Sequence, residues 1–131
     1  MEELYNLGIS DTTLKCMIEI NPEILEMSNN EINEKKDILK RINCIDREIL
    51  NIISSNALML NRTNSGLIDL ISYLKELGFD NLNILFDSNP YILNLEPFEI
   101  KRYIEDRLNN KESIDDIIAD FDSNPYLFNE I

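Results

Sequence analysis

The chain has 131 residues, which favours a single domain over residues 1–131, and 44% of them are hydrophobic, enough for a core. Its 12 lysines and arginines face 25 aspartates and glutamates, so the net charge is −13 at pH 7. This charge disfavours a large nucleic-acid footprint, which needs clustered basic residues, and the apolar runs are too short to predict a membrane span.

The first predicted helix ends at the dipeptide Asn21-Pro22. Leu14 and Ile18 are four residues apart and therefore share one face of that helix. The N-terminal decapeptide is acidic and only weakly apolar, so it predicts no signal peptide, and we expect a cytoplasmic protein.

Three longer helices follow along the chain, each with an apolar stripe. They are predicted at Ile32 to Ile42, Leu67 to Leu77 and Ile100 to Leu108. Ser28 and Glu31 fit a capping box for the first of them, and Gly78 is placed to end the second. The N-cap candidates of the shorter helices are Ser10 or Asp11, Asp46, Asp80 and Ser113.

The hexapeptide FDSNPY occurs twice, at 86–91 and at 121–126, and it marks one corner of a repeat. The repeat corners are Asn21 with Pro22, Asn56, Asn89 with Pro90, and Asn124 with Pro125. Apolar residues stand at the same places around each corner asparagine, namely seven before it (Leu14, Ile49, Leu82, Ile117), three before it (Ile18, Ile53, Phe86, Phe121) and four after it (Leu25, Leu60, Leu93, Phe128).

A period of this length with helical spacing is typical of a helical solenoid. The residue before a proline leaves helical geometry, so a helix should end near Ser88 and near Ser123. Asparagine is a good N-cap and proline fits the first helical turn, so a new helix should start there. We therefore predict an all-α solenoid, right- or left-handed, of about four short three-helix repeats (about 4–28, 32–63, 67–97 and 98–131) with incomplete ends.

The charge is distributed unevenly. Residues 35–62 carry six basic and three acidic side chains, and residues 112–131 carry six acids and no base. Lys36, Lys40, Arg41 and Arg47 could form a small anion or nucleic-acid patch, or they could be a solvated helix face, which we favour. The acidic ends serve either to mimic a nucleic acid or simply to keep the protein dissolved.

The residues that most enzymes use are missing. The chain has no histidine, the commonest general base and metal ligand. Cys16 and Cys44 fit no CxxC pattern and are interpreted as reduced, buried core fillers. We therefore predict no enzyme activity, no cofactor and no metal site.

The repeat resembles that of the mitochondrial transcription termination factor family, mTERF. The similarity lies in LYNLGIS…INPEIL, YLKELGFDNLNILFDSNPYIL and DRLNNKESIDDIIADFDSNPYLF, which together cover nearly all of the chain. The resemblance implies an all-α, left-handed solenoid of triangular three-helix units and binding of double-stranded DNA or RNA on a basic concave surface. This chain is shorter than that family and far more acidic.

Three functions follow from these features. The first is a binding module whose acidic surface engages a protein with a basic or mixed surface. The second is the nucleic-acid role of the family, which would use Lys35, Lys36, Lys40, Arg41, Arg47 and Arg62, with Lys101, Arg102 and Arg107. The third is an acidic nucleic-acid mimic that inhibits a nucleic-acid-binding protein.

Two further expectations concern the surface. Tyr91 and Tyr126 follow two of the corners and are either partner anchors or, as we favour, packed between repeats. The apolar Leu127, Phe128 and Ile131 would leave a sticky end, so we expect the terminal helices to fold back over the core or two chains to form an end-to-end homodimer.

Overall fold

The computed structural model describes all 131 residues and contains helices only. The eight α-helices are α1 (Glu2–Asn6), α2 (Asp11–Ile20), α3 (Asn29–Arg41), α4 (Asp46–Ser55), α5 (Asn64–Leu77), α6 (Leu82–Ser88), α7 (Pro97–Asn109) and α8 (Ile114–Ser123). Four 3₁₀ helices, here called corner helices, are η1 (Pro22–Glu26), η2 (Ala57–Asn61), η3 (Pro90–Asn94) and η4 (Pro125–Glu130). The predicted all-α repeat is confirmed.

Each unit consists of two α-helices and one corner helix. Units 1 to 4 begin with α1, α3, α5 and α7, and these first helices pack on one another in order. The second helices α2, α4 and α6 form another column, and η2, η3 and η4 a third. A buried apolar cluster runs through all four units. None of the helices combines the length and the apolarity that crossing a membrane requires.

The first helix of every unit ends in the same backbone turn. One or two residues past its end, each first helix is followed by a residue with positive φ: Gly8 (96°), Asn43 (70°), Gly78 (112°) and Lys111 (69°). The next amide then donates to the carbonyl five residues back, for example from Phe79 to Leu74 at 3.1 Å. This is the Schellman closure, which satisfies carbonyls at a helix end and turns the chain.

The second helices end where the prolines predict, with α6 closing at Ser88 and α8 at Ser123. The role predicted for the corner asparagines is wrong, however, because none of their side chains caps the corner helix. The Asn21 amide instead donates to the next unit, to the Ala57 carbonyl at 3.0 Å and to Asn61 Oδ1 at 2.9 Å.

This contact recurs at the next two corners. Asn56 donates to the Pro90 carbonyl and to Asn94 Oδ1, and Asn89 donates to the Pro125 carbonyl and to Asn129 Oδ1, all at 2.8–3.0 Å. The three asparagines are almost fully buried. The corner asparagine is therefore a clamp between consecutive units.

The predicted helix starts are partly confirmed. Ser10 and Ser113 cap α2 and α8, and Ser28 accepts the Glu31 amide at 3.2 Å without the reciprocal half of a capping box. Asp46 and Asp80 are not caps. The N-cap positions are Ile45 and Asn81, and the Glu48 carboxylate accepts the Ile45 amide at 2.9 Å in place of a capping aspartate.

Unit 4 carries charged residues where the other units carry apolar ones. Aligned on the corner asparagine, Arg107, Glu112 and Asp120 stand where unit 2 has the buried Leu39, Cys44 and Ile52. The Arg107 guanidinium donates to Glu112 at 2.8 Å and also to Asp120. We call these three residues the polar triad. It gives the outer face of unit 4 the polar character of a solenoid cap.

The C-terminal segment covers the core, as one of the two expected arrangements requires. Phe128 is fully buried and stacks with Phe121, with ring centroids 4.4 Å apart. Leu127 and Ile131 are half-buried against the same cluster. The apolar side chains that predicted a sticky end are therefore largely covered within unit 4.

Candidate interaction surfaces

The four residues of the predicted anion patch do not share one surface. Lys36 is buried, and its Nζ lies 3.0 Å from the Glu3 carboxylate of unit 1. Lys40 and Arg41 are exposed on the last turn of α3. Arg47 is exposed on α4. The structure thus separates Lys36 from the rest.

Other basic residues of the nucleic-acid hypothesis also lie within unit interfaces. Lys35 is buried, which lowers the pKa of its ammonium group, and it donates to Asn64 of the next unit. Arg62 donates to the carbonyls of Leu93 and Leu95 at 2.9 and 2.6 Å. Arg107 belongs to the polar triad. Lys35 and Arg62 thus hold consecutive units together, and Arg107 is paired within unit 4, so these side chains do not face solvent as a group.

One small basic cavity remains between the first helices of units 2 and 3. Arg41 and Lys75 line it, with Ile38, Ile42 and Ile71 on its walls, and its volume is about 130 Å³. Lys40 is exposed next to Arg41. Lys101 and Arg102 are exposed on α7, where Lys101 lies 4.0 Å from Glu105.

The second helices form a groove between neighbouring units. Between α4 and α6 this groove holds a partly exposed ion pair between consecutive units, because Arg47 Nη1 lies 3.7 Å from Asp87 Oδ2. Asn51 also donates to the Asp87 carboxylate, at 2.8 Å. The charge of Asp87 is therefore balanced by a cation and an amide from the preceding unit.

Between α6 and α8 the same groove has the opposite chemistry. Aligned on the corner asparagines, Asp80 stands in the place of Arg47, Ile84 in that of Asn51, and Asp122 in that of Asp87. The cavity has a volume of about 460 Å³. We call it the acidic groove, and it is lined by Asp80, Asn81, Ile84, Leu85, Ser88, Asp122, Ser123 and Pro125.

The electrostatics of the acidic groove are unfavourable to the free protein. Partial burial raises the pKa of Asp122, and the charge of Asp80 raises it further. None of the lining residues is basic. A cationic side chain placed between the two carboxylates would supply what Arg47 supplies one unit earlier.

An apolar row lies beside this groove on the corner helices. Leu58, Tyr91 and Tyr126 each stand two residues after a corner asparagine and are 46%, 42% and 63% exposed. The expectation that the two tyrosines pack between repeats is therefore wrong. We call these three residues the corner row. It reaches the acidic groove at Pro125, which lines the groove and precedes Tyr126.

The cysteines differ from the prediction at one position. Cys44 is buried, and burial raises the pKa of its thiol to about 12, so it is no nucleophile at neutral pH. Cys16 is exposed on α2 and is not a core filler. Both thiols are free.

The acidic groove was not predicted from the sequence, although the sequence contains a signal for it. A comparison of the repeats at their apolar positions alone does not compare the charged residues between them. The exchange of Arg47 for Asp80 becomes visible only when each polar position is aligned with its equivalent in the next unit.

Comparison with known proteins agrees with this architecture. The chain is 29% identical over 125 residues to the vacuolar protein sorting-associated protein 39 homolog of Drosophila melanogaster, a match that covers 82% of this chain. It spans only 14% of that relative's length. No solved structure matches the chain. The sequence model of the mTERF family matches residues 1–122, so this four-unit solenoid belongs to the mTERF family.

Proposed function

We propose that this chain is a non-catalytic binding module that engages a protein through its acidic solenoid surface. The observation that carries the proposal is the acidic groove, where Asp80 and Asp122 face each other without the cation that Arg47 provides one unit earlier. Proteins of the mTERF family are in general binding modules and not enzymes, which supports the non-catalytic part.

The groove and the corner row together specify the chemistry of the partner. An arginine or lysine fits between Asp80 and Asp122, and an apolar side chain beside it fits against Tyr126. The net charge of −13 steers a basic segment toward this surface and makes its association rate dependent on salt. The name of the Drosophila relative refers to protein sorting and not to transcription, which also favours a protein as the partner.

The test is a titration with a short peptide of alternating arginine and leucine residues, followed by nuclear magnetic resonance of the backbone amides. We expect the largest shifts in α6, α8 and η4. The double variant Asp80→Asn with Asp122→Asn should weaken binding about tenfold, since two partly exposed ion pairs contribute together about 1.4 kcal/mol.

A matched control removes the same charge from another surface. Asp37 and Asp69 are exposed on the first helices α3 and α5 and make no hydrogen bond or ion pair. The variant Asp37→Asn with Asp69→Asn should bind the peptide nearly as well as the natural chain. Equal weakening by both double variants would reduce the proposal to a general charge effect.

Nucleic-acid binding is the second candidate, and one observation favours it. Arg41 and Lys75 come together in the small cavity between α3 and α5, with Lys40 beside them. Anisotropy of labelled duplex DNA, single-stranded DNA and RNA at about 50 and 200 mM salt tests it. Affinity that falls steeply with salt and is lost in Arg41→Ala with Lys75→Ala would place this function first.

The remaining hypotheses stay predictions. An acidic mimic of nucleic acid would use the same groove against a basic nucleic-acid-binding protein, and it would displace DNA from that protein. The cytoplasmic location is likewise a prediction.

A further inference from the structure

The outer face of unit 1 exposes side chains that every later unit buries. The residues three before and four after each corner asparagine are buried wherever another unit precedes them, and in unit 4 they are Phe121 and Phe128, which contact Phe79 of unit 3. In unit 1 they are Ile18, half-buried, and Leu25, 63% exposed. Their equivalents in units 2 to 4 are exposed by 2% or less and are Ile53, Phe86, Phe121, Leu60, Leu93 and Phe128.

The same face also carries hydrogen-bond acceptors. In unit 2 the Ala57 carbonyl and Asn61 Oδ1 receive the corner amide of unit 1. The equivalent groups in unit 1 are the Pro22 carbonyl and the carboxylate of Glu26, which is exposed and makes no side-chain hydrogen bond. Unit 1 therefore carries, on its second helix and its corner helix, both the apolar and the polar groups that receive a preceding unit.

We propose that this face, formed by Ile18, Pro22, Leu25 and Glu26, docks a three-helix unit of the same kind on a partner chain. The proposal is independent of the acidic groove, which lies between units 3 and 4. Its basis is continuity, since the structure shows the same positions covered in the same way at all three internal interfaces.

The required partner follows from what the internal units present. Its docking face has apolar residues in the places of Leu39, Ile52 and Met59, which are fully buried in unit 2, where another unit follows. It also has a corner asparagine whose amide reaches the Pro22 carbonyl and the Glu26 carboxylate. A carboxylate acceptor strengthens that contact relative to the amide oxygen used inside the solenoid.

A second copy of this chain does not meet these requirements. Unit 4 of a second copy would place the polar triad against Leu25 and Ile18. Residues 112–131 also carry six acids and no base, and residues 1–34 carry eight acids and one base. Two such acidic ends repel each other. This repulsion and the polar triad both disfavour a second copy, so we infer that unit 1 binds a different partner.

The experiment converts this chain into the required partner. Arg107→Leu, Glu112→Ile and Asp120→Ile together give unit 4 the apolar face of the internal units, and Leu25→Glu in the same chain blocks its own unit 1. Mixed with the natural chain, this variant should form a one-to-one complex of micromolar affinity in analytical ultracentrifugation. Circular dichroism and thermal unfolding confirm that each variant is folded.

Two further variants separate specific docking from general stickiness. Leu25→Glu in the natural chain should weaken the complex at least tenfold. Asn124→Ala in the chain with the triple replacement should weaken it about fivefold, because the corner amide is lost. If the triple replacement does not fold, Arg107→Leu with Asp120→Ile, which keeps the natural Glu112, serves as the partner. Absence of a complex, or a complex insensitive to Leu25 and Asn124, overturns the proposal. Self-association of the natural chain that depends on Leu25 would identify a second copy as the occupant and also overturn it.

Discussion

Asparagine suits the corner because it combines two amide donors with a short side chain. At Asn89 the backbone is extended, with φ at −144°, as the following proline requires. The amide then reaches the Pro125 carbonyl at 3.0 Å and Asn129 Oδ1 at 2.9 Å. Aspartate has no donor and serine is too short, so neither could replace it.

The corner asparagines should contribute unequally to stability. Asn89→Ala removes two buried hydrogen bonds and should lower the free energy of unfolding by about 2 kcal/mol, at about 1 kcal/mol each. Asn21→Ala should cost less, because Asn21 Oδ1 is buried without a partner and the substitution removes that unsatisfied acceptor. Urea unfolding measures both.

Asn124 is the internal control for this prediction. It occupies the same corner but is exposed and makes no side-chain hydrogen bond. Asn124→Ala should therefore change the stability very little. A cost equal to that of Asn89→Ala would mean that asparagine acts within its own corner and not as a clamp between units.

The difference between an asparagine that caps its own corner and one that clamps two units shows what the sequence could and could not predict. The positions of the corners, the helix ends at Ser88 and Ser123, and the apolar faces depend on local rules and were predicted correctly. The partner of Asn89 lies 36 residues away in the chain. A cap and a clamp need the same residue type, so only the packing of the units separates them.

The first helices show how one turn repeats with different residues. Each is followed, one or two residues past its end, by a residue with positive φ, a conformation that glycine adopts freely and that costs other residues about 1–2 kcal/mol. Units 1 and 3 use Gly8 and Gly78, while units 2 and 4 use Asn43 and Lys111. Asparagine tolerates this region and lysine does so poorly, so unit 4 carries the strained version of the turn.

Opposite substitutions at two of these turns should have opposite effects. Gly78→Ala should lower the free energy of unfolding by about 1–2 kcal/mol, and only through the backbone, since no atom lies within 4 Å of an added Cβ. Lys111→Gly should raise the melting temperature slightly. Thermal unfolding followed by circular dichroism measures both, and a neutral Gly78→Ala would contradict the assigned turn.

The two ends of the solenoid differ in chemistry although the units share one fold. Apolar Leu25 is exposed at one end, whereas Arg107, Glu112 and Asp120 replace core residues at the other. Local patterns predicted an apolar, sticky end at unit 4, from Leu127, Phe128 and Ile131. They failed at unit 4 because each charge of the polar triad, read alone, is typical of an ordinary helix surface, and only the alignment with Leu39 and Ile52 places it at an interface position.

The charged groups of unit 4 should give opposite pH dependences. The Arg107 hydrogen bond lowers the pKa of Glu112, so this carboxylate stabilises the fold above its unfolded pKa of about 4.3, and the contribution is lost as the pH falls through the lower folded value. Burial and Asp80 raise the pKa of Asp122, so its charged form destabilises the fold at neutral pH, and the penalty disappears as the pH falls through the raised value.

Urea unfolding between pH 7 and pH 2.5 can separate these two contributions from the repulsion of the whole acidic chain. At pH 7 Glu112→Gln should be less stable than the natural chain, and the difference should shrink only below about pH 4.3. Asp122→Asn should be more stable at pH 7, and its advantage should disappear as the pH falls through the raised pKa of Asp122. Since net charge changes by the same amount in both variants, a shared sign would show that general repulsion dominates. Opposite signs would show that the charged Asp122 side chain lowers the free energy of unfolding of the free protein, as expected for a residue that pairs with a cationic group of a partner.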